Sequence, residues 1–431
     1  MGRIARRLPG GATGATTATN VVILVCGALA GILTARALGP TGRGQLTIAT
    51  LWPALIQTVG SLGLQSSSSY FFARWPSQRP ALVRWLYRPI VLQAIGMTIV
   101  SMIILLILWL DRRLDSLLAI EYSTWAAAAT ITLYGVSCAQ GSNNFKRFNV
   151  IRLIPSAMPI VLVLACMSAV RLTPAEAGAA YVIPTWCSAL LTIKWLYRLC
   201  ERRALVEPLS LDQRRAVWSY GLRSVASLSG LTLNRSADQY TLGLIAPASA
   251  LGIYSAAASA SSPLSSIIAS HGMVGLPTVA ALAGREKKVA TWRAMGRATR
   301  SVVLVSPLLA IVLPWAIPFA YGASYSTAVV PAEVLLVGTV FSALTAVADD
   351  LLRAHGHPGF VSISQGAGGV VTAVGTLLLS GHPLSAVAAV SSLGFILAFA
   401  LALARLHAAT RIQGRRKRVG RHRAVSRASA N

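Results

Sequence analysis

Long apolar runs recur along the whole chain, separated by short clusters of charge. The stretches 21–35 (VVILVCGALAGILTA) and 90–110 (IVLQAIGMTIVSMIILLILWL) contain no charged residue. A helix needs roughly 20 mainly apolar residues to cross the hydrocarbon of a bilayer. Windows meeting that requirement fall at 14–35, 44–66, 89–110, 122–142, 151–170, 175–199, 220–246, 250–280, 301–321, 329–348, 359–379 and 384–404. The segments 250–280 and 329–348 are the weakest, being rich in Ala, Ser and Gly. The pattern predicts an all-α polytopic membrane protein of about 12 transmembrane helices.

The charged clusters test that count. With the N-terminus inside, 33 of the 39 Lys and Arg residues fall on the inner side. Arg36, Arg43, Arg112, Arg113 and Arg171 fall outside, and Arg235 is left within a span. Such an excess of inner cations is the positive-inside signature, which a missing helix would scramble. Both termini are therefore expected in the cytoplasm. Trp85, Trp109, Trp125, Trp195 and Trp218 lie near span ends, where amphipathic rings favour the headgroup level.

Composition changes the picture in two ways. Of 431 residues, 55% are hydrophobic and 12% charged, and mean hydropathy is +0.63. A soluble protein would carry about 25% charged residues, so that class is excluded. The net charge of +27 would suggest nucleic acid in a soluble chain. Here the cations serve orientation, and no nucleic-acid partner is expected. The five cysteines lie in or beside apolar segments without a C-x-x-C pair, so they read as small apolar residues. No metal or cofactor is expected. Arg3, Arg6 and Arg7 before an apolar run resemble a signal peptide, but the spans that follow favour an uncleaved first helix.

The chain divides into a basic arm (1–13), six spans (14–199), an amphipathic linker (200–219), six more spans (220–404) and a basic tail (405–431) expected to be disordered. The two sets of six share a local pattern. ARALGPTGRGQLTIATLW in the first hairpin and QYTLGLIAPASALGIYSAAAS in the seventh each carry Leu-Gly (Leu38-Gly39, Leu242-Gly243), a short outer loop, and a glycine (Gly44, Gly252) opening a small-residue helix. Internal repeats of this kind are a common way to build transporters.

The stretches ARALGPTGRG and SLGLQSSSSYFFAR, with NRSADQYTLGLIAPASALGIYSAA in the second half, resemble the polysaccharide-transporter (oligosaccharide flippase) family. FAYGASYSTAVVPAEVL and RAHGHPGF also fit its loop patterns. Its superfamily, the multidrug/oligosaccharidyl-lipid/polysaccharide exporters, also holds lipid II flippases and multidrug exporters. The resemblance covers about residues 14–405 and rests on loose, mostly structural motifs. It implies two pseudo-symmetric six-helix lobes around a central cavity, working by alternating access. It also implies a polyprenyl-(di)phosphate-linked glycan as substrate, membrane lipids and polysaccharide-assembly proteins as partners, and a bacterial cytoplasmic (inner) membrane location.

The chemistry centres on Arg235 and Asp238. Arg235 lies fifteen residues beyond Tyr220, roughly 22 Å into the helix at its usual rise. Charges at such depth usually face water or each other. Two readings stand: Arg235 contacts an anionic headgroup with Asp238 holding its orientation, or the two form a structural ion pair. Arg36 and Arg43 flank the first outer turn, and an arginine fork suits phosphate oxygens; either also fits a solvated turn. The resemblance puts Arg36 beside the cavity and so ranks it above Arg43. The amides Asn20, Gln57 and Gln140, with Gln65, Asn143, Asn144 and Gln365, suit sugar hydroxyls but equally suit helix packing, as does the pair Gly27 and Gly31. Asp349, Asp350 and Arg353 read as a solvated helix end or an inner gate. QGAGG (365–369) follows no strand and reads as close helix packing.

The substrate-binding set is thus Arg235, Asp238, Arg36, Asn20, Gln57 and Gln140. It suits a flippase carrying a lipid-linked oligosaccharide or polysaccharide precursor from the cytoplasmic to the outer leaflet. An ion-coupled multidrug exporter would call for several membrane carboxylates, and Asp238 is the one the spans place deep. A membrane glycosyltransferase or ligase would call for larger outer loops than these, so an enzyme is not expected. A non-transporting scaffold would leave an intramembrane charge without a purpose.

Overall fold

The computed structural model describes residues 10–169, 172–201, 207–280 and 282–428. Fourteen α-helices and two short 3-10 turns account for nearly all of them, and no strand occurs among them. Eight segments are long and apolar enough to cross a membrane by length and composition, and each expected span lies on helix.

The chain forms two compact units. The first runs to Leu228 and includes Pro247–Gly252; the second comprises Ser229–Ala246 and everything from Ile253. The first holds α1 (Gly10–Gly60), α2 (Leu64–Arg74), α3 (Arg79–Leu110), α4 (Ser116–Ser123), α5 (Trp125–Gly141), α6 (Phe145–Ala169), α7 (Pro174–Glu201) and the opening of α8 (Leu211–Ile245). Its first helix, α1, is two helices joined at a single break.

That break is Gly39, at φ 66° and ψ −178°, a conformation that costs a residue with a Cβ dearly. Pro40 then opens the next helix, where its missing N–H does no harm. The chain doubles back here. Arg43 Nη1 donates to Thr34 Oγ1 at 3.2 Å, although residues nine apart would lie roughly 13 Å apart in a straight helix. Gly31 faces the Arg43 guanidinium and Gly27 faces open space, so these two glycines do not form a helix-packing face. The outer connection expected over 36–44 contracts to one residue.

The paired glycines of the two hairpins meet within the first unit. A Cβ on Gly44 would collide with the Ala248 carbonyl, and a Cβ on Gly252 with the Pro40 carbonyl. Residues 40 and 248, like 44 and 252, are equivalent positions of the repeat.

Of residues 200–219, those at 200–201 end α7 and those at 211–219 open α8. Residues 202–206 lie outside the described residues. Val217 is fully buried in an apolar cluster with Leu64, Phe71, Phe72, Leu82 and Leu86. Ser67 Oγ donates to the Val217 carbonyl at 2.8 Å, and Tyr70 stacks on Tyr220 at 4.7 Å. Trp218 and Tyr220 pack against the same cluster.

The second unit continues α8 and adds α9 (Ala248–Ser261), α10 (Pro263–Ala280), α11 (Gly284–Tyr321), α12 (Val329–Ala354), α13 (Pro358–Leu378) and α14 (Leu384–Ala428). The expected span 250–280 is broken at Ser262, where Pro263 starts a new helix. A Cβ on Gly368 would lie 2.6 Å from the Gly394 carbonyl oxygen, and one on Gly369 would lie 3.2 Å from the Asn234 nitrogen. QGAGG thus allows close approach of α8, α13 and α14, as small residues do in membrane bundles. α14 continues to Ala428 through the basic tail expected to be disordered. Alanine and arginine are good helix formers, and no proline interrupts the segment.

Candidate functional site

The second unit encloses a set of polar side chains that its helices bring together from distant parts of the chain. Asn234 and Asp238 lie one turn apart on α8, are 2% and 3% exposed, and both point inward. Tyr254 Oη on α9 donates to Asp238 Oδ2 at 2.5 Å, and Ser391 Oγ on α14 donates to the same oxygen at 2.8 Å. The Gln239 backbone N–H donates to Oδ1 at 2.8 Å. Four residues earlier, Asn234 Nδ2 donates to Gln365 Oε1 on α13 at 2.6 Å. Gln365 Nε2 in turn donates to Asp349 Oδ2 on α12 at 2.8 Å.

Two hydrogen-bonded groups one turn apart on α8, Asp238 with Tyr254 and Ser391, and Asn234 with Gln365 and Asp349, form a polar ladder that joins five helices, α8, α9, α12, α13 and α14. Buried polar groups in a bilayer are costly unless paired, and most of these are. The exceptions are Asn234 Oδ1 and Asp349 Oδ1, which are buried with no hydrogen-bond partner, as are the Thr372 and Thr376 hydroxyls on α13. Neither aspartate forms an ion pair among the described residues. The ladder is rich in oxygen acceptors, the donor chemistry that suits a proton or a small cation. No cluster of three or more His, Cys, Asp or Glu exists among the described residues.

Arg235 and Asp238 do not pair. Asp238 is committed to Tyr254 and Ser391, whereas Arg235 is exposed. Three residues of helix subtend about 300°, so the two side chains leave the axis roughly 60° apart. That offset puts one into the packed interior and the other outside it. Asp238 therefore does not orient Arg235.

The other sequence candidates lie in the first unit and are not gathered into one site. Asn20 on α1 is exposed, as are Arg36 on α1 and Gln140 near the end of α5, while Gln57 is half-buried on α1. No side-chain hydrogen bond joins any of the four to another among the described residues. Arg43 is the better held of the two hairpin arginines, through its bond to Thr34.

Asp349 corrects the expectation of a solvated helix end. It is 2% exposed, while its neighbour Asp350 makes the end-of-helix ion pair with Arg353 at 2.8 Å. The available signal was periodicity: Thr345, Asp349 and Leu352 share one face of α12 and all are buried. Tyr254, Ser391 and Asn234 carried no sequence signal of their own, because Tyr and Ser are unremarkable in spans and Asn234 acquires its meaning from Gln365.

Known proteins give this geometry a context. No curated protein sequence matches the chain. Its fold is similar to the inward-facing conformation of a multidrug resistance MATE family transporter of the MOP superfamily. That similarity has a TM-score of 0.71 at 14% identity, covering 90% of this chain and 96% of the other. It is also similar to the lipid II flippase MurJ in an inward closed conformation, with a TM-score of 0.70 at 12% identity, covering 91% and 87%. At such identities the likeness is one of fold, that of a polytopic membrane transporter with twelve helices in two six-helix lobes. A family model described as polysaccharide biosynthesis protein matches residues 12–283. That stretch is more than half of the chain, which therefore belongs to the polysaccharide biosynthesis protein family.

Proposed function

We propose that this protein is a flippase that moves a lipid-linked oligosaccharide or polysaccharide precursor across a bacterial inner membrane, from the cytoplasmic to the outer leaflet. A polar glycan head joined to phosphate cannot cross hydrocarbon unaided, and a transporter must supply both a wet path and a counter-charge. The observation that carries the reading is Arg235. It stands exposed deep in a helix of the membrane fold, and its nearest acid in sequence is engaged elsewhere. A cation so placed has its charge balanced most simply by cargo, and its planar fork suits phosphate oxygens. Within the first unit, Arg36, Asn20, Gln57 and Gln140 are proposed as separate substrate contacts rather than as one site.

Transport of a labelled lipid-linked precursor into vesicles, at matched membrane abundance, tests this. Arg235→Ala should abolish it and Arg235→Lys should retain part. The Asp238→Ala variant should lose activity through misfolding rather than through loss of charge balance at Arg235. Normal transport by Arg235→Ala would sink the assignment. Both termini are proposed to be cytoplasmic; a reporter fused after Asn431 should read inside, and one in 111–121 outside. A tail found outside would mean an odd number of spans.

A second reading keeps the fold and changes the cargo to a drug, with export coupled to an ion. The second buried carboxylate, Asp349, removes the objection that this chain holds one deep acid. We assign the ladder to coupling with a proton or small cation under either cargo, as chains of buried acids do in other transporters. Asp349→Asn should uncouple transport from the cation gradient, and an unchanged gradient dependence would refute that role. The family match favours the glycan, and transport assays with a cationic drug and with a glycan lipid side by side would separate the two.

A further inference from the structure

We propose that the basic cleft between α10 and α11 is a binding site for an acidic phospholipid, its headgroup in the cleft and its acyl chains laid along α11. The cleft has a volume of about 870 Å³ and lies wholly within the second unit. Arg285, Lys288, Arg293, Arg297 and Arg300 line it, with Trp292 among them. All five cations are exposed, and none forms an ion pair among the described residues. The α10 wall contributes Gly275, Thr278 and Val279, with no carboxylate.

The helix that carries these arginines also carries an apolar track. At about 100° per residue, Arg293, Arg297 and Arg300 occupy one narrow sector of α11. Leu304, Leu308, Ile311 and Trp315 continue it, and all four are exposed, Leu304 at 76% and Trp315 at 80%. The face changes from cationic to apolar immediately after Arg300. From there to the exposed Phe319 the helix rises roughly 28 Å, close to the thickness of the hydrocarbon core.

A ligand matching this surface has an anionic phosphate head and long apolar chains. Basic pockets between membrane helices on the cytoplasmic side suit anionic lipid heads. Four of the five cations are arginine, the residue that grips phosphate by a fork of donors. A soluble phosphate would use the cleft but leave the track idle, so the lipid is the occupant that accounts for both. The assignment is independent of the cargo and requires that this end of α11 face the inner leaflet, where the positive-inside pattern puts it.

The test is lipid retention by the full-length purified protein, read by native mass spectrometry after delipidation and addition of dioleoylphosphatidylglycerol or dioleoylphosphatidylcholine. Wild type should prefer phosphatidylglycerol at least tenfold. The triple variant Arg293→Gln, Arg297→Gln, Arg300→Gln should lose that preference, and Arg84→Gln with Arg88→Gln in the first unit should keep it. Leu308→Glu, on the track and outside the cleft, should also lower retention while leaving the arginines in place. Full preference in the triple variant, or retention unaffected by Leu308→Glu, would overturn the proposal. So would displacement of the lipid by an equal concentration of inorganic pyrophosphate, since the cleft would then be a site for soluble anions.

Discussion

Among the described residues, every polar side chain fully buried in the first unit, tyrosines aside, is a serine or threonine. In the second, Asn234, Asp238, Asp349, His355 and Gln365 are buried beside the hydroxyls. The difference lies in what each group requires of its neighbours. A hydroxyl in a helix can donate to the carbonyl one turn back, as Thr34, Ser68, Thr130 and Thr185 do, and so it asks nothing of other helices. A carboxylate or an amide in this setting is satisfied by other side chains, so its burial ties helices together. The first unit has a core packed through Leu64, Phe72, Leu82 and Tyr134, and its hydroxyls that do cross between helices, such as Ser67 to the Val217 carbonyl and Ser188 to the Ile151 carbonyl, take backbone acceptors. The second has a core in which a few polar groups and their partners join helices.

The largest effect that would sharpen this contrast is at Asp238. Asp238→Ala leaves the Tyr254 and Ser391 hydroxyls without their acceptor in a dry interior, at about 1–3 kcal/mol for each. We expect a loss of roughly 3 kcal/mol in unfolding of the purified protein in detergent, or failure to accumulate. Ser68→Ala, in the first unit, should stay within about 0.5 kcal/mol, because the hydroxyl it removes served its own helix. Equal effects at the two sites would break the comparison.

The first unit should be sensitive instead where backbones touch. Gly44→Ala drives a methyl group into the Ala248 carbonyl, which cannot rotate away as a side chain could. A cost of about 1–3 kcal/mol follows from overpacking of this kind, and Gly252→Ala should match it if the two hairpins are equivalent. Thermal unfolding of both variants measures this, and a harmless Gly44→Ala would deny the reciprocal contact.

The smallest effect is a pH dependence in the first unit, at the connection before α5. Burial, with Asp115 nearby, pushes the Glu121 carboxyl up from 4.5 to about 7. Between those values the folded chain holds a proton that the unfolded chain has released. Stability should therefore fall as pH rises from about 4.5 to about 7, and level off above it. Glu121 is partly exposed, so solvent screening keeps the slope shallow. Unfolding midpoints across that range should flatten in Glu121→Gln. A slope that survives the substitution would assign it to another group.

Much of this molecule is legible in its sequence. Most of the spans follow from apolar content summed over windows, a quantity that does not depend on which way a side chain points. The repeat of Gly44 in Gly252 was visible as spacing, and QGAGG could be assigned to packing because no strand precedes it. The candidate site was less legible. Arg235 and Asp238 stood out as charges in a span, yet their three-residue spacing did not reveal that they diverge by about 60°.

Span count, helical character and the duplicated halves were fixed by local composition, because the bilayer imposes its length and polarity on each segment separately. The tertiary structure alone decided that Asp238 serves Ser391, 153 residues away, that Asp349 is interior while Asp350 is not, and that residues 211–228 pack with the first unit. Those outcomes depend on the rotation of each helix about its axis and on which helix lies opposite. Both are set by the packing of all the neighbours at once, and a window of sequence contains neither.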